Sequence, residues 1–167
     1  MIATTSEIIF EPMRRIVFIG NHKRFLSFPK MKFKIIYFQV NKKYCPIRLE
    51  VETCIDEKYY NIPILPNMLF SGSTCLPLGN LVLSSFQSSK KLKSYIINSF
   101  WTSKFSNLND FFVEVSSVSY FMQHIGSHIN KPPTKLQIAR FNEYFDLWEK
   151  KTKEDPKWVP GSDFFKV

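Results

Sequence analysis

The chain has 167 residues, of which 44% are hydrophobic and 22% charged, a balance typical of folded globular domains that excludes a disordered chain and a membrane-embedded body. Its formal charge of +9 at pH 7 admits nucleic acid or an acidic protein surface as a partner, but the lysines are scattered in pairs and no RNP, zinc-finger or helix-turn-helix pattern accompanies them. We therefore expect a single domain over residues 1–167, with nucleic acid a less favoured partner than protein.

The sequence lacks the patterns that mark membrane spans and disulfide-rich proteins. No run of about 18 apolar residues occurs, because Pro, Lys, Asn or Ser interrupts every hydrophobic stretch, and the first residues lack the apolar core of a signal peptide. The 3 cysteines form an odd set without a Cys-x-x-Cys pair, which argues against disulfides and structural zinc. We expect a cytoplasmic protein with reduced thiols, no membrane association, no metal and no cofactor.

The first half of the chain is predicted to form β-strands. After an N-terminal segment (1–13), residues 14–64 contain stretches rich in Ile, Val, Phe and Tyr, separated by short turns that carry Gly, Asn or Pro. Consecutive strands joined by such turns pair most simply as an antiparallel β-meander. The predicted strands are 14–19, 23–28, 31–40 and 47–53.

Residues 88–150 change to helical periodicity and are predicted as a helical part. A first amphipathic helix is predicted over 88–100, where Ser88 or Ser89 can serve as the N-cap. Residues 110–126 combine Val and aromatic content typical of a strand with a length typical of a helix, and helix is the favoured of the two. The apolar side of the first helix is formed by Leu92, Tyr95, Ile96, Ser99 and Phe100.

A stronger helical pattern covers residues 134–150. Two prolines precede it, and a Thr-x-x-Gln capping-box spacing opens it. Residues 151–167 are predicted as a C-terminal tail, and the basic run KKTKE (150–154) as a solvated helix end. Strands followed by helices predict an α+β domain with helices packed on a mainly antiparallel sheet. The apolar stripe of this helix consists of Ile138, Phe141, Tyr144, Phe145 and Trp148.

The segment LPNMLFSGSTCLPLGN (65–80) is predicted to be an irregular loop that presents Cys75. A thiol of ordinary pKa, about 8.5, is mostly protonated at neutral pH, so a reactive cysteine needs exposure and surroundings that favour the thiolate. The amide of Asn67 could stabilise negative charge on a carbonyl oxygen under attack, or hold the loop through backbone hydrogen bonds. The residues expected to shape the loop are Pro66, Gly72, Leu76 and Pro77.

The spacing in this loop resembles the active-site segment of ubiquitin-conjugating enzymes, in which His-Pro-Asn is followed after four residues by Gly, and after two more by the catalytic Cys and Leu. More similar still is a bacterial branch, prokaryotic ubiquitin-conjugating-like family D, which includes protein B of the plasmid-borne PRTRC system. Its members also have a Gly-Asn pair near the cysteine and a helix that ends in an aromatic-x-Ser-x-Phe phrase, as in Gly79-Asn80 and FWTSKF (100–105) here. The matching loop positions are Pro66, Asn67, Gly72, Cys75 and Leu76.

The resemblance implies a ubiquitin-conjugating-enzyme-like fold, with an antiparallel meander, then the cysteine loop, then packed helices. It also implies transthioesterification, in which Cys75 accepts the C-terminus of a ubiquitin-like protein from a ThiF-like activating enzyme and passes it to an amine. A JAB-type metalloprotease is an optional further partner. No cofactor is implied for this step.

The loop also departs from the pattern of conjugating enzymes. Leu65 stands where those enzymes have the histidine, Pro77 replaces a polar residue, and no acidic residue follows Cys75 for many positions to help deprotonate a lysine. Transfer to lysine is therefore left open. The alternatives are a catalytically inactive interaction module of the same fold and a basic nucleic-acid-binding accessory protein of a plasmid or phage.

The remaining cysteines and histidines are interpreted as structural residues. Cys45 precedes a proline and Cys54 ends a strand pattern, and neither has a polar loop around it. His124 and His128 lie four apart but lack a glutamate or a third ligand, which disfavours a zinc site. The aromatic residues expected in the core are Trp101, Phe105 and Trp148.

Overall fold

The computed structural model describes residues 2–61, 64–66, 68, 74, 86–105 and 135–165. In these ranges strands precede helices and pair in antiparallel fashion, which confirms the α+β class. No helix in this part of the chain is both long and apolar enough to cross a membrane. The elements are β1 (Ala3–Phe10), β2 (Met13–Ile19), β3 (His22–Phe28), β4 (Met31–Val40), β5 (Lys43–Ile55), β6 (Lys58–Tyr60), α1 (Ser89–Thr102), α2 (Lys135–Glu154) and α3 (Ser162–Phe165).

The strands form two antiparallel sheets instead of one meander. The first sheet has the order β1-β4-β5-β6, and the second is the hairpin β2-β3. The pairs β4-β5 and β5-β6 are consecutive, as predicted, but β4 takes β1 as its other neighbour, from Ala3↔Phe38 to Phe10↔Met31. Two expectations are corrected: the segment 1–13 contains a strand, and β3 does not pair with β4.

Helix α2 explains why β3 is unavailable to β4, because α2 lies along the outer edge of β3. The Phe25 N–H donates to Glu149 Oε2 at 2.5 Å, and the Ser27 N–H donates to Thr152 Oγ1 at 3.0 Å. The Ser27 carbonyl accepts a 2.8 Å hydrogen bond from Trp148 Nε1. These side chains satisfy the backbone groups that a neighbouring strand would otherwise use.

Two tight turns join the later strands of the first sheet. Asn41 and Lys42 have φ angles of 49° and 63°, and Asp56 and Glu57 have φ angles of 48° and 68°. Positive φ at both central residues is typical of a type I′ turn, whose twist matches that of the flanking strands. Asn and Asp tolerate this conformation better than most residues, so the first turn residue in each hairpin fits its position.

The main core lies between the first sheet and α1. Alternate residues of β4 are buried, and Phe33 packs edge-on against Phe100 of α1, with ring centroids 4.9 Å apart. The first predicted helix is confirmed, with Ser88 as N-cap, since Ser88 Oγ accepts a 3.2 Å hydrogen bond from the Lys91 N–H. Tyr95 departs from the predicted apolar side, because it is 46% exposed. The buried residues of α1 are Leu92, Ile96, Phe100 and Trp101.

The C-terminal part is more tightly packed than a tail. Helix α2 continues to Glu154, Thr152 is fully buried, and α3 buries Phe164 and Phe165. The expectation of a solvated helix end is therefore wrong at Thr152. Phe165 packs edge-on against Trp148, with ring centroids 5.7 Å apart, which joins α3 to α2. Of the predicted stripe, Tyr144, Phe145 and Trp148 are buried, and the side chains of Ile138 and Phe141 lie outside the described part.

Candidate functional site

The start of the predicted cysteine loop is anchored in the core. Ile64, Leu65 and Met68 are buried hydrophobic residues, and Pro66 is buried with them. Leu65 occupies the position at which the resemblance has a histidine, and its complete burial gives it a packing role. The beginning of the loop therefore contributes to stability and offers no acid or base.

The two ends of the segment 68–74 are held together on β5. Met68 and Thr74 form an antiparallel β-bridge, and the Thr74 N–H donates to the Leu49 carbonyl at 3.0 Å. Thr74 Oγ1 donates to the same carbonyl at 3.3 Å. Thr74 is 9% exposed and Leu49 is fully buried. The residue immediately before Cys75 is thus fixed to the sheet through both its backbone and its side chain.

Most of the predicted site residues lie outside the described part of the chain, and Pro66 is the exception. The structure therefore reports on the ends of the loop, and the proximity of the thiol to an amide side chain stays a prediction. The predicted helix over 110–126 and the histidines His124 and His128 also lie outside the described residues. The site residues concerned are Asn67, Gly72, Cys75, Leu76 and Pro77.

The phrase FWTSKF (100–105) ends α1 and ties it to β2. The N–H and the hydroxyl of Ser103 both donate to the Phe100 carbonyl, at 3.3 and 2.8 Å, which satisfies a carbonyl at the helix C-terminus. The Phe105 N–H then donates to the Phe18 carbonyl of β2 at 2.9 Å. The FWTSKF segment therefore has a structural role, because it ends α1 and connects it to β2. The core positions predicted for Trp101, Phe105 and Trp148 are confirmed.

The two cysteines in the described part belong to β5. Cys45 and Cys54 are free and half-buried. They are therefore more exposed than the fully buried residues of the core. In the described ranges, no group of three or more His, Cys, Asp or Glu side chains could hold a metal ion. The chemistry available at β5 is thus that of two separate thiols.

The outer face of the first sheet carries an ion-pair cluster with shifted pKa values. Glu52 of β5 pairs with Lys34 and Lys32 of β4, at 2.7 and 3.5 Å between oxygen and nitrogen. Burial raises the pKa of the Glu52 carboxyl, but the Lys34 hydrogen bond and the two positive charges outweigh burial and lower this pKa overall. The hydrogen bond to Glu52 raises the pKa of Lys34, and desolvation opposes part of that rise. A carboxylate held ionised in this way is a poor general base, so we assign the cluster a structural role.

Replacing Glu52 by glutamine should lower the free energy of unfolding by about 0.5–1 kcal/mol at neutral pH. Because the Glu52 pKa is lower in the folded chain, its contribution is present above the unfolded pKa and is lost as the pH falls through the folded pKa. Urea unfolding should therefore show a difference between native chain and variant that shrinks from about pH 7 to about pH 3. Glu143→Gln, at an exposed position of α2, is the control; the same pH dependence in both variants would contradict the assignment.

A second charged cluster docks α2 on the β2-β3 hairpin. Arg24 is 9% exposed and forms ion pairs with Asp146 and, at 3.8 Å, with Glu149. Arg14 donates from Nη2 to the Asp155 carbonyl at 2.5 Å, beyond the C-terminal end of α2. Guanidinium groups suit these positions, because they pair with the two carboxylates of α2 and with the carbonyls near the helix end. The sequence offers no signal for this cluster, since its partners are far apart in the chain.

A groove of about 450 Å³ lies between β1 and α1. Ile8 and Phe10 of β1 and Ile97 of α1 form its apolar lining. Helix α1 also contributes the polar lining residues, which are Ser89, Lys90, Lys93, Ser94 and Asn98. The groove is absent from the sequence predictions because β1 itself was assigned to an N-terminal segment. The end of β1 reads EIIF, without a regular alternation of apolar and polar residues, so the sequence carries no clear signal for the half-buried face that lines the groove.

Comparisons of the chain with protein-family models, curated proteins and solved structures find no match. The resemblance to conjugating enzymes therefore depends on the two short segments 65–80 and 100–105. Within the described ranges, the contacts of Leu65, Pro66, Met68 and Thr74 are the structural observations that bear on the first segment.

Proposed function

We propose that the chain is a ubiquitin-conjugating-like protein, in which Cys75 carries the C-terminus of a ubiquitin-like modifier as a thioester and transfers it to an amine. The observation that supports this most directly is the attachment of Thr74, the residue before Cys75, to the Leu49 carbonyl of β5. A nucleophile acts best from a loop whose ends are fixed on a rigid element, because its position then needs little adjustment during the reaction.

The architecture is compatible with this function. An antiparallel sheet precedes the loop and an amphipathic helix packs on that sheet after it, which is the element order that the resemblance implies. Met68 and Thr74 are paired, and the proposed catalytic residues Asn67 and Cys75 are their immediate neighbours in sequence. This support concerns the framework that would hold the site.

The proposed reaction has two acyl-transfer steps. The Cys75 thiolate attacks the thioester carbonyl of the activated modifier, a new carbon–sulfur bond forms, and the donor sulfur leaves as a thiolate. An amine then attacks the Cys75 thioester, loses one proton as the amide forms, and releases the Cys75 thiolate. Each step develops negative charge on the carbonyl oxygen, and the Asn67 amide is the proposed hydrogen-bond donor to it.

The partners follow from this chemistry and from the resemblance. A ThiF-like enzyme would adenylate the modifier and present it as a thioester, and a JAB-type metalloprotease would be an optional third component. The net charge of +9 would favour encounter with an acidic surface of the activating enzyme or of the modifier. Such a conjugation system would belong to a bacterium or a mobile element and act in the cytoplasm.

Iodoacetamide should alkylate Cys75 faster than Cys45 and Cys54, with a pH midpoint below the ordinary thiol pKa of about 8.5. The physical reason is that a nucleophilic cysteine must be exposed and partly ionised, whereas the other two thiols are half-buried on β5. Mass spectrometry of the three cysteine-containing peptides gives the rate at each pH. A Cys75 rate no faster than that of the other two, or a midpoint at or above the ordinary value, would sink the proposal.

A synthetic peptide thioester ending in Gly-Gly tests acyl transfer without any partner. The native chain and the double variant Cys45→Ser/Cys54→Ser should gain the mass of the peptide acyl group, and hydroxylamine should remove it. The variant Cys75→Ala has no nucleophile at this position and should gain no such adduct. If the adduct forms equally in Cys75→Ala, the thioester role is wrong, and an interaction module of the same architecture remains.

A further inference from the structure

Strand β1 has an outer edge that no described residue covers. The edge of β3 is occupied by side chains of α2, β2 is bridged through Phe18 to Lys104, and β6 is only 3 residues long. β1 has 8 residues and pairs with β4 alone among the described strands. A strand of this length with one unpaired edge presents a row of backbone donors and acceptors to another chain.

The sequence of β1 has few of the features that discourage such pairing. ATTSEIIF contains neither proline nor lysine, its one charged residue is Glu7, and it ends in three apolar residues. Ile9 is 50% exposed on the outer face, while Ile8 and Phe10 are half-buried on the face toward α1. The end of β1 therefore offers both a backbone edge and apolar side chains.

The groove beside this edge supplies a place for side chains of an added strand. It holds about 450 Å³, and Ile8, Phe10 and Ile97 form the apolar part of its lining. Side chains of a strand alternate between its two faces, so a strand added to β1 would direct every second side chain toward α1 and this groove. Apolar side chains suit the part of the groove that Ile8, Phe10 and Ile97 line.

The charged residues that line the groove are both positive. Lys90 and Lys93 lie in the N-terminal half of α1, whose first turn has no acidic residue, and neither lysine forms an ion pair with a described carboxylate. Lysines at this end add to the positive end of the helix dipole, so the two charges repel cations and attract carboxylates. Charge complementarity therefore favours an acidic occupant.

We infer that the β1 edge and the adjoining groove bind an extended acidic segment of a partner protein by strand addition. The added strand hydrogen-bonds to the outer edge of β1, places apolar side chains in the groove, and directs flanking Asp or Glu side chains to Lys90 and Lys93. Backbone bonds supply affinity in this mode, and the side-chain pockets supply specificity. The inference is independent of the thioester chemistry, so Cys75→Ser should bind the segment as the native chain does.

The probe is a synthetic peptide, ETVTVTE, labelled with a fluorophore and titrated with the full chain. One face of this peptide in extended form carries Glu, Val, Val and Glu. The two valines match the apolar lining of the groove, and the two glutamates match its two lysines. We expect saturable binding below about 1 mM, and weaker binding of KTVTVTK by about tenfold or more. Failure of ETVTVTE to bind, or equal binding of both peptides, would overturn the inference.

Charge reversal locates the binding site. The double variant Lys90→Glu/Lys93→Glu should weaken ETVTVTE binding by about tenfold, because two attractive contacts become repulsive. The matched control Lys23→Glu/Lys157→Glu makes the same change of net charge at exposed lysines on β3 and beyond α2. An equal loss in both double variants would show a nonspecific charge effect and refute the site. Circular dichroism of each variant confirms that the fold is retained.

N-methylated peptides test the strand-addition geometry. One peptide is methylated at the backbone nitrogens of its odd-numbered residues and a second peptide at those of its even-numbered residues, so that each has one of its two strand edges blocked. We expect one of these peptides to lose binding and the other to retain it, since only one edge of a strand can pair with β1. Equal binding of the two methylated peptides would refute strand addition. A sedimentation experiment that shows a dimer dissociating in Lys90→Glu/Lys93→Glu would instead assign the edge to a second copy of the chain.

Discussion

Replacing Trp148 by alanine should lower the free energy of unfolding by about 3–5 kcal/mol, the usual range for deleting a large buried aromatic side chain. Trp148 is fully buried, packs edge-on against Phe28 at 5.5 Å and stacks on Phe145 at 5.9 Å between ring centroids. Its indole N–H also donates to the Ser27 carbonyl at 2.8 Å. Small domains have about 5–15 kcal/mol of stability in total, so this single change should bring the chain close to unfolding.

Urea unfolding followed by far-ultraviolet circular dichroism measures this effect without relying on tryptophan fluorescence. Trp148→Phe should show an intermediate loss, because it keeps a packed ring and removes the hydrogen bond to Ser27. Leu147→Ala is the control on the same helix: Leu147 is 39% exposed, and its truncation should cost about 1 kcal/mol or less. If Trp148→Ala costs no more than Leu147→Ala, the described docking of α2 on β3 is incorrect.

Replacing Asn67 by alanine should slow acyl transfer from the peptide thioester to Cys75 by about 10²–10³-fold, the usual effect of removing one oxyanion donor. Alkylation of Cys75 by iodoacetamide develops no oxyanion, so its rate should stay unchanged in the same variant. The comparison of the two reactions separates charge stabilisation from maintenance of the loop. Both rates come from mass spectrometry on one protein preparation.

The alternative role of Asn67 gives a different pattern. If its side chain holds the loop by hydrogen bonds to the backbone, Asn67→Ala should slow alkylation and acyl transfer together. Asn61→Ala, at an exposed position outside the loop segment, is the control and should leave both rates unchanged. Native rates of both reactions in Asn67→Ala would contradict both roles and leave Cys75 without an amide partner.

Elements with strong local periodicity were predictable. The alternation of β4 and the helical spacing of α1 place large apolar side chains on one face, and that face must be buried whatever the remaining chain does. The N-cap at Ser88 follows from residue type and position in the same local way. For such elements the physical cause of structure lies within a few residues of sequence.

The order of the strands was not predictable, because it depends on which edges are already occupied. β3 and β4 are consecutive and could pair, but α2 covers the edge of β3. Glu149 and Thr152 accept hydrogen bonds from β3 N–H groups, and Trp148 donates one to a β3 carbonyl. β4 then pairs with β1, whose first residues are polar and whose strand character is completed by that pairing. Similarly, α3 is too short to form alone and exists because Phe164 and Phe165 are buried against other elements.

The sequence by itself determined the chemistry expected of the candidate site, because residue types and spacing from Asn67 to Cys75 decide which nucleophile and which amide donor are available. Tertiary structure alone decided how that segment is held. Thr74 is bound to Leu49, 25 positions earlier in the chain, and Leu65 fills the core. A contact between residues so far apart leaves no periodic trace in the sequence, since it forms only after β5 has its place in the sheet.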